Sequence, residues 1–183
     1  MTINVTKLIA GPATLYTGPV GTVEPTNATD PITGAWTDAG GTNDGVNITI
    51  AQSFESVEAD QTVDLLASLP TQRSMQVETS LMERTMDNVK LACNGGTIVT
   101  GAQTDTFEPI SNTVDFPPTY KAVLLKGTSA INGKTGLLIV RRCLVTDDVE
   151  SKYQKAGVSM LGIRWTGHYV DSSIRPFIFL QEH

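Results

Sequence analysis

The sequence predicts a mainly β protein, an antiparallel β-sandwich or barrel-like subunit with one flanking α-helix, an extended N-terminal arm and long loops. Three observations carry this. Two segments, Val46-Asn47-Ile48-Thr49-Ile50 and Met75-Gln76-Val77-Glu78, alternate apolar and polar residues, the mark of half-buried strands. Helical spacing occurs once, between residues 82 and 93. The final third is a series of strand-type segments separated by turn residues, so the helix interrupts runs of strands instead of alternating with them. The chain has 183 residues, 40% of them hydrophobic, which is enough for one packed core.

Residues 1–45 read as an N-terminal arm and loop. Pro12, Pro19, Pro25 and Pro31 recur through them, with Gly11, Gly18, Gly21 and Gly34 between. Proline removes a backbone donor and fixes φ, so no long helix or central strand is expected. The segment still holds anchors, Leu8, Leu15, Tyr16 and Trp36, which a disordered tail would lack. It is expected to become ordered by lying on another surface.

Residues 46–183 read as the β-sandwich domain. Asn43-Asp44-Gly45 is a turn signal, because Asp-Gly supports positive φ. In the strand that follows, Val46, Ile48, Ile50 and Phe54 are expected on the core, with Asn47, Thr49, Ser53 and Glu55 on the opposite side. Residues 55–70 read as a loop or hairpin tip. In the second strand Met75, Val77 and Leu81 share the core side, while Ser74, Gln76, Glu78 and Ser80 share the other.

The helix, near 82–93, takes its apolar stripe from Met82, Met86, Val89 and Cys93. Its cap is Thr85, or Ser80 through a Ser80-x-x-Glu83 capping box, and Asn94-Gly95-Gly96 ends it. Residues 97–119 read as loop. Strands are expected at Tyr120–Lys126, Gly136–Thr146, Val158–Val170 and Pro176–Leu180.

The chemistry-bearing residues form no convincing catalytic or ligand constellation. Gly127 to Thr135 imitates a phosphate-binding loop, but the spacing between its glycines is one residue too long. The strand-like Gly136-Leu137-Leu138-Ile139-Val140 follows where a helix must open; a turn at Asn132-Gly133 explains the segment. Asp147, Asp148 and Glu150 form one acidic cluster and Glu55, Glu58 and Asp60 another, both read as solvated loop charge. His168 lacks the Gly-x-Ser-x-Gly context that would recruit it and Asp171 or Asp148 to a serine. No metal site and no cofactor are expected. With no leader pattern at the start, Cys93 and Cys143 read as two buried thiols in a reducing compartment, a disulfide between them being the unsupported alternative. The longest apolar runs are far shorter than the ~20 residues of a membrane-spanning helix. A net charge of −6 excludes a protein that grips nucleic acid through clustered Lys and Arg.

The order of features resembles the phage tail tube (major tail) proteins. The likeness is carried by Gly11-Pro12-Ala13-Thr14-Leu15-Tyr16, by Trp36 to Val46, by the strand-into-helix segment Val77 to Val89, and by Arg141 to Val145 with Lys155 to Thr166. No one of these pieces is sharp; their order across most of the chain is. The resemblance implies a non-enzymatic structural subunit of the virion, assembled in the host cytoplasm. Six copies would close into a ring, and rings would stack into a tube through which DNA passes without specific binding. Other expected partners are a tape measure protein and a tail terminator. The expected lumen residues are Asn47, Thr49, Ser53, Glu55, Ser74, Gln76, Glu78 and Ser80. Leu8, Leu15, Tyr16 and Trp36 are the expected ring-to-ring contacts. The competing readings are a tail terminator or decoration protein, which would not form long tubes, and a β-sandwich binding module, which would need an exposed aromatic platform.

Overall fold

The computed structural model describes residues 11–58, 64–110, 119–151 and 160–183. The strands are β1 (Ala13–Pro19), β2 (Thr37–Asp38), β3 (Thr42–Val57), β4 (Ala67–Leu81), β5 (Thr97–Thr100), β6 (Asp105–Glu108), β7 (Lys121–Thr128), β8 (Thr135–Val145), β9 (Leu161–Gly167) and β10 (Phe177–Gln181). The helix α1 spans Met86–Ala92. Eight strands form one sheet in the order β2-β1-β7-β8-β9-β4-β3, with β10 also on β8; β5 and β6 form a separate hairpin. Every pairing between these strands is antiparallel, so the chain is the mainly β protein with one helix that its pattern predicts.

The sheet forks at β8. Residues 136–140 of β8 pair with β10 and residues 143–145 with β9. The fork curls the sheet into a half-barrel whose two arms face each other across one core. Leu15, Val123, Leu125, Leu138 and Val140 supply one side, and Met75, Val77, Leu81, Leu161, Ile163 and Trp165 the other. Arg141 and Arg142 sit at a register shift, so Val140 and Cys143 both reach the core. Such bulges bend a strand and sharpen its twist. The Cys143 thiol donates to the Lys121 carbonyl at 3.0 Å, and burial pushes its pKa up.

The outer face of β1, β7, β8 and β10 is covered as well. Residues 20–36 fold back over it, packing Ala28, Ile32 and Trp36 on Leu124, Leu137, Ile139, Tyr16 and Ile178. Polar ties hold this cover. Trp36 Nε1 donates to the Val23 carbonyl at 2.9 Å, and Lys126 Nζ to the Asp30 carbonyl at 2.6 Å. The Arg141 guanidinium grips the Glu24 carboxylate in a two-point pair at 2.6 and 2.8 Å, which raises its pKa. The arm expected through residue 45 is therefore, over its described part, built into the sheet. Its prolines lie just before β1 at Pro12, at the end of β1 at Pro19, and in the cover, where no ladder donor is needed.

Five local expectations are corrected. Asp44-Gly45 is a bulge inside β3 instead of a turn: Gly45 has φ +77° and its carbonyl accepts from the Thr79 hydroxyl at 2.8 Å. Strand pairing reaches through residues 55–57 and 67–70, so the hairpin runs farther toward its tip than expected; Pro70 fits in β4 because among the described strands it has a neighbour on one side only there, beside a register shift. Residues 97–119 contain the β5–β6 hairpin. The helix is two turns, capped by Thr85, whose hydroxyl accepts from the Asn88 amide at 3.1 Å, while Ser80 stays in β4. Its buried residues are Asn88 and Ala92, with Leu91 against the core, and not Met82, Met86 or Cys93, which are exposed. The Asn88 side chain donates to the Ala39 and Glu83 carbonyls at 3.1 and 2.8 Å, so a polar residue takes the inward position by satisfying two backbone acceptors.

Candidate functional site

The β3–β4 hairpin and β9 build one extended polar surface. In the ladder Asn47 stands opposite Glu78, Thr49 opposite Gln76, Ala51 opposite Ser74, Ser53 opposite Gln72 and Asn43 opposite Ser80. Directly paired residues project to the same side. On the next strand Arg164 stands opposite Glu78 and Thr166 opposite Gln76. All eight residues named from alternation, Glu55 included, thus share one side of the ribbon. Asn47, Thr49, Ser53, Glu55 and Glu78 are exposed; Ser74, Gln76 and Ser80 are half-buried. At the seam with β8, the Thr146 and Thr166 hydroxyls bond to each other at 2.7 Å.

One charge cluster stands on this surface. Arg164 Nη2 lies 3.1 Å from Glu78 Oε2, and Arg164 Nη1 donates to the Asp147 carboxylate. Asp148 and Glu150 line the same shallow depression. Alternation gave the position of Glu78, but 86 residues separate it from Arg164, so only the fold reveals the pair.

The other side of the hairpin is apolar. Ile48 pairs with Val77 and Ile50 with Met75, so strand parity places them on the core side as expected. Yet Val77 and Met75 are buried, while Ile48 and Ile50 are 39% and 42% exposed. They are corrected from core to surface; Ile48 faces Leu125 and Leu138 of the opposite arm across an open gap. Farther out on this side Phe54 is more than half exposed, while Leu69, paired with Glu55, stands exposed on the other. Between the hairpin root and β10 runs a cavity of about 610 Å³ lined by Val46, Ile48, Leu125, Leu138 and Phe179. β3, 16 residues long, has only β4 as a neighbour among the described strands. A long strand with one free edge is a template for pairing with another chain.

The residues expected at ring-to-ring contacts are placed differently. Leu15 is fully buried in the subunit's own core. Tyr16 packs under the 20–36 cover and Trp36 forms part of it, and both keep part of their surface exposed. Leu8 lies outside the described residues.

The groups weighed for chemistry are engaged in local structure. The His168 ring packs edge-on against Tyr120 with centroids 5.3 Å apart. Asp171 Oδ1 accepts from the Ser173 amide and hydroxyl and the Ile174 amide, which lowers its pKa. The 127–135 segment is a tight turn: the Ser129 amide donates to the Lys134 carbonyl at 2.8 Å and Gly133 has φ +70°. Among the described residues no cluster of three His, Cys, Asp or Glu side chains is placed to hold a metal ion. Cys93 is exposed, correcting the expectation that it is buried.

Comparison with known proteins adds to this geometry. A chain of the cryo-EM structure of the anti-feeding prophage (AFP) baseplate, 6-fold symmetrised, is similar at 13% identity and a TM-score of 0.45, over 98% of this chain and 97% of that one. No curated protein matches. The family described as phage tail tube protein matches residues 1–183, and the chain belongs to that family.

Proposed function

We propose that the chain polymerises with copies of itself into a hollow tail tube, in hexameric rings, and that the polar side of β3, β4 and β9 borders the channel. The observation that carries this is the two-sidedness of one ribbon. Its hydrophilic side is continuous across three strands, and its other side presents Ile48, Ile50 and Phe54, each exposed among the described residues. Contiguous exposed apolar surface of this kind marks an association site. Membership of a tail tube family supports the same reading.

Asn47, Thr49, Ser53, Glu55, Ser74, Gln76, Glu78 and Ser80 are the proposed channel wall. An acidic or neutral wall lets duplex DNA slide, because it offers phosphates few cations to displace their counterions. The partly exposed Tyr16 and Trp36, with Leu8, remain the proposed contacts between rings; Leu15 is committed to the core. The role is structural and involves no catalysis or cofactor. It includes a tape measure protein in the lumen during assembly, a terminator at the tube's end, and placement in the virion tail after assembly in the host cytoplasm. Negative-stain electron microscopy of the purified protein tests it. Long hollow tubes with a central channel are expected; a compact monomer at every concentration and salt would overturn it.

A further inference from the structure

We propose that Glu78 and Asp147 mask Arg164, so that the one cation on the three-stranded polar surface cannot engage DNA phosphate. The inference rests on the reading of that surface as the channel wall and names the residues that set its response to nucleic acid.

The charge distribution makes Arg164 stand out. From Leu8 through Gln72 the sequence contains no Lys or Arg, so β3 contributes no cation. Arg73 follows Met75 and Val77 onto the opposite side, where its guanidinium lies 5.3 Å from the centre of the Phe177 ring. The β4 residues on the polar side are Ala67, Leu69, Gln72, Ser74, Gln76, Glu78 and Ser80, and the β9 residues are Gly162, Arg164 and Thr166. Arg164 is therefore the sole cation among the described residues of these three strands on this side. Beside it on β8, Arg142 is itself occupied, 4.0 Å over the Tyr120 ring with Nη1 donating to the Tyr169 carbonyl.

An arginine on a channel wall is a hazard to transport. Its planar fork binds phosphate as readily as carboxylate, in two-point geometry, and it does not deprotonate. Repeated around every ring, it would add a phosphate contact per copy, and non-specific affinity rises steeply with that number. Here the fork is occupied from two directions: Glu78 receives Nε at 3.3 Å and Nη2 at 3.1 Å, and Asp147 receives Nη1. The partners come from three separate segments, β4, β9 and the residues after β8. Exposed ion pairs contribute little to folding stability, so the arrangement is poorly explained as a strut. The local charge of the three groups is one negative; with both carboxylates made amides it becomes one positive.

The test compares four forms: wild type, Glu78→Gln with Asp147→Asn, the same pair with Arg164→Gln added, and Arg164→Gln alone. Folding is checked by far-UV circular dichroism and assembly by electron microscopy. Each is sedimented with a short fluorescent duplex at about 50 mM and about 300 mM salt. The double variant is expected to retain duplex at least ~10-fold more than wild type at the lower salt and to release it at the higher. The triple variant and Arg164→Gln are expected to match wild type. A double variant no better than wild type, or a triple variant that still retains duplex, overturns the masking. Because microscopy reads assembly separately, Arg164-dependent binding by a protein that forms no tubes would sink the tube and keep the mask.

Discussion

The two halves of β4 differ in one respect. Residues 76–81 lie between β3 and β9, and there Val77 and Leu81 are 1% and 0% exposed. Residues 67–73 pair with β3 alone, and each of them is exposed. The strand and its β3 partner are the same throughout, apart from the register shift at Pro70. What changes is whether β9 lies beside it and an opposing layer beneath it. Apolar alternation therefore records where a strand finds cover without saying which molecule supplies it. In the inner half the subunit covers itself. In the outer half, on the proposed reading, another copy does.

The largest expected effect breaks the inner half. Val77→Asp with Leu81→Asp places two unpaired charges in the closed core, each at a cost of at least ~3 kcal/mol against a total stability of ~5–15 kcal/mol. The double variant is expected to lose its cooperative thermal transition and its near-ultraviolet circular dichroism. If it melts like wild type, the core is wrongly placed.

The same chemistry in the outer half sharpens the contrast. Phe54→Asp alters a side chain 57% exposed. The subunit is expected to keep its melting temperature within a few degrees, since surface substitutions stay near ~0.5 kcal/mol, and to form no tubes. Tubes of normal length, judged by electron microscopy, would show that this apolar side is not an assembly surface.

A third substitution tests the cover supplied by α1. Asn88→Ala strands two carbonyls, of Ala39 and Glu83, and is expected to cost ~1–3 kcal/mol in denaturant unfolding. A neutral result would mean that the helix does not tie the β2 segment to the body.

The smallest effect concerns the 20–36 cover. The Asn27 amide, then the Thr26 hydroxyl, lead the interactions that hold the Asp30 carboxyl below its ordinary pKa. A folded-state pKa below the unfolded one means a contribution that is present above the unfolded value and lost as pH falls through the lowered one. Protection from hydrogen exchange in residues 24–32, taken against the unstructured-peptide rate at the same pH, is expected to fall in wild type only on the acid side of pH ~4, and to be lower in Asp30→Ala at every higher pH. Equal exchange in the two proteins at neutral pH would refute the role of this carboxylate.

The site was partly legible beforehand. The eight polar residues of the ribbon could be read from alternation because side chains in a strand project with period two, whatever the strand packs against. Glu78 was legible and its partners were not, because Arg164 and Asp147 arrive through pairing of distant segments. Asn88 was passed over because periodicity assigns polar residues to the solvent side, and nothing local announces that two carbonyls await it. The deep burial of Leu15 was hidden in a proline-rich stretch, since proline at a strand end leaves the residues before it free to pair. Deleting residues 1–30 would therefore remove β1 from the body itself.

By itself the sequence determined the mainly β class, the strands that alternation marks, which of their residues share a side, and the scarcity of cations in the first 72 positions. These are local facts, set by side-chain period, backbone dihedral preference and composition. Tertiary structure alone decided where the opposing layer stops, which charges meet, and which apolar residues remain uncovered. Each of those depends on how far the curled sheet reaches over itself, and that reach follows from the fork at β8 and the bulges that bend the strands.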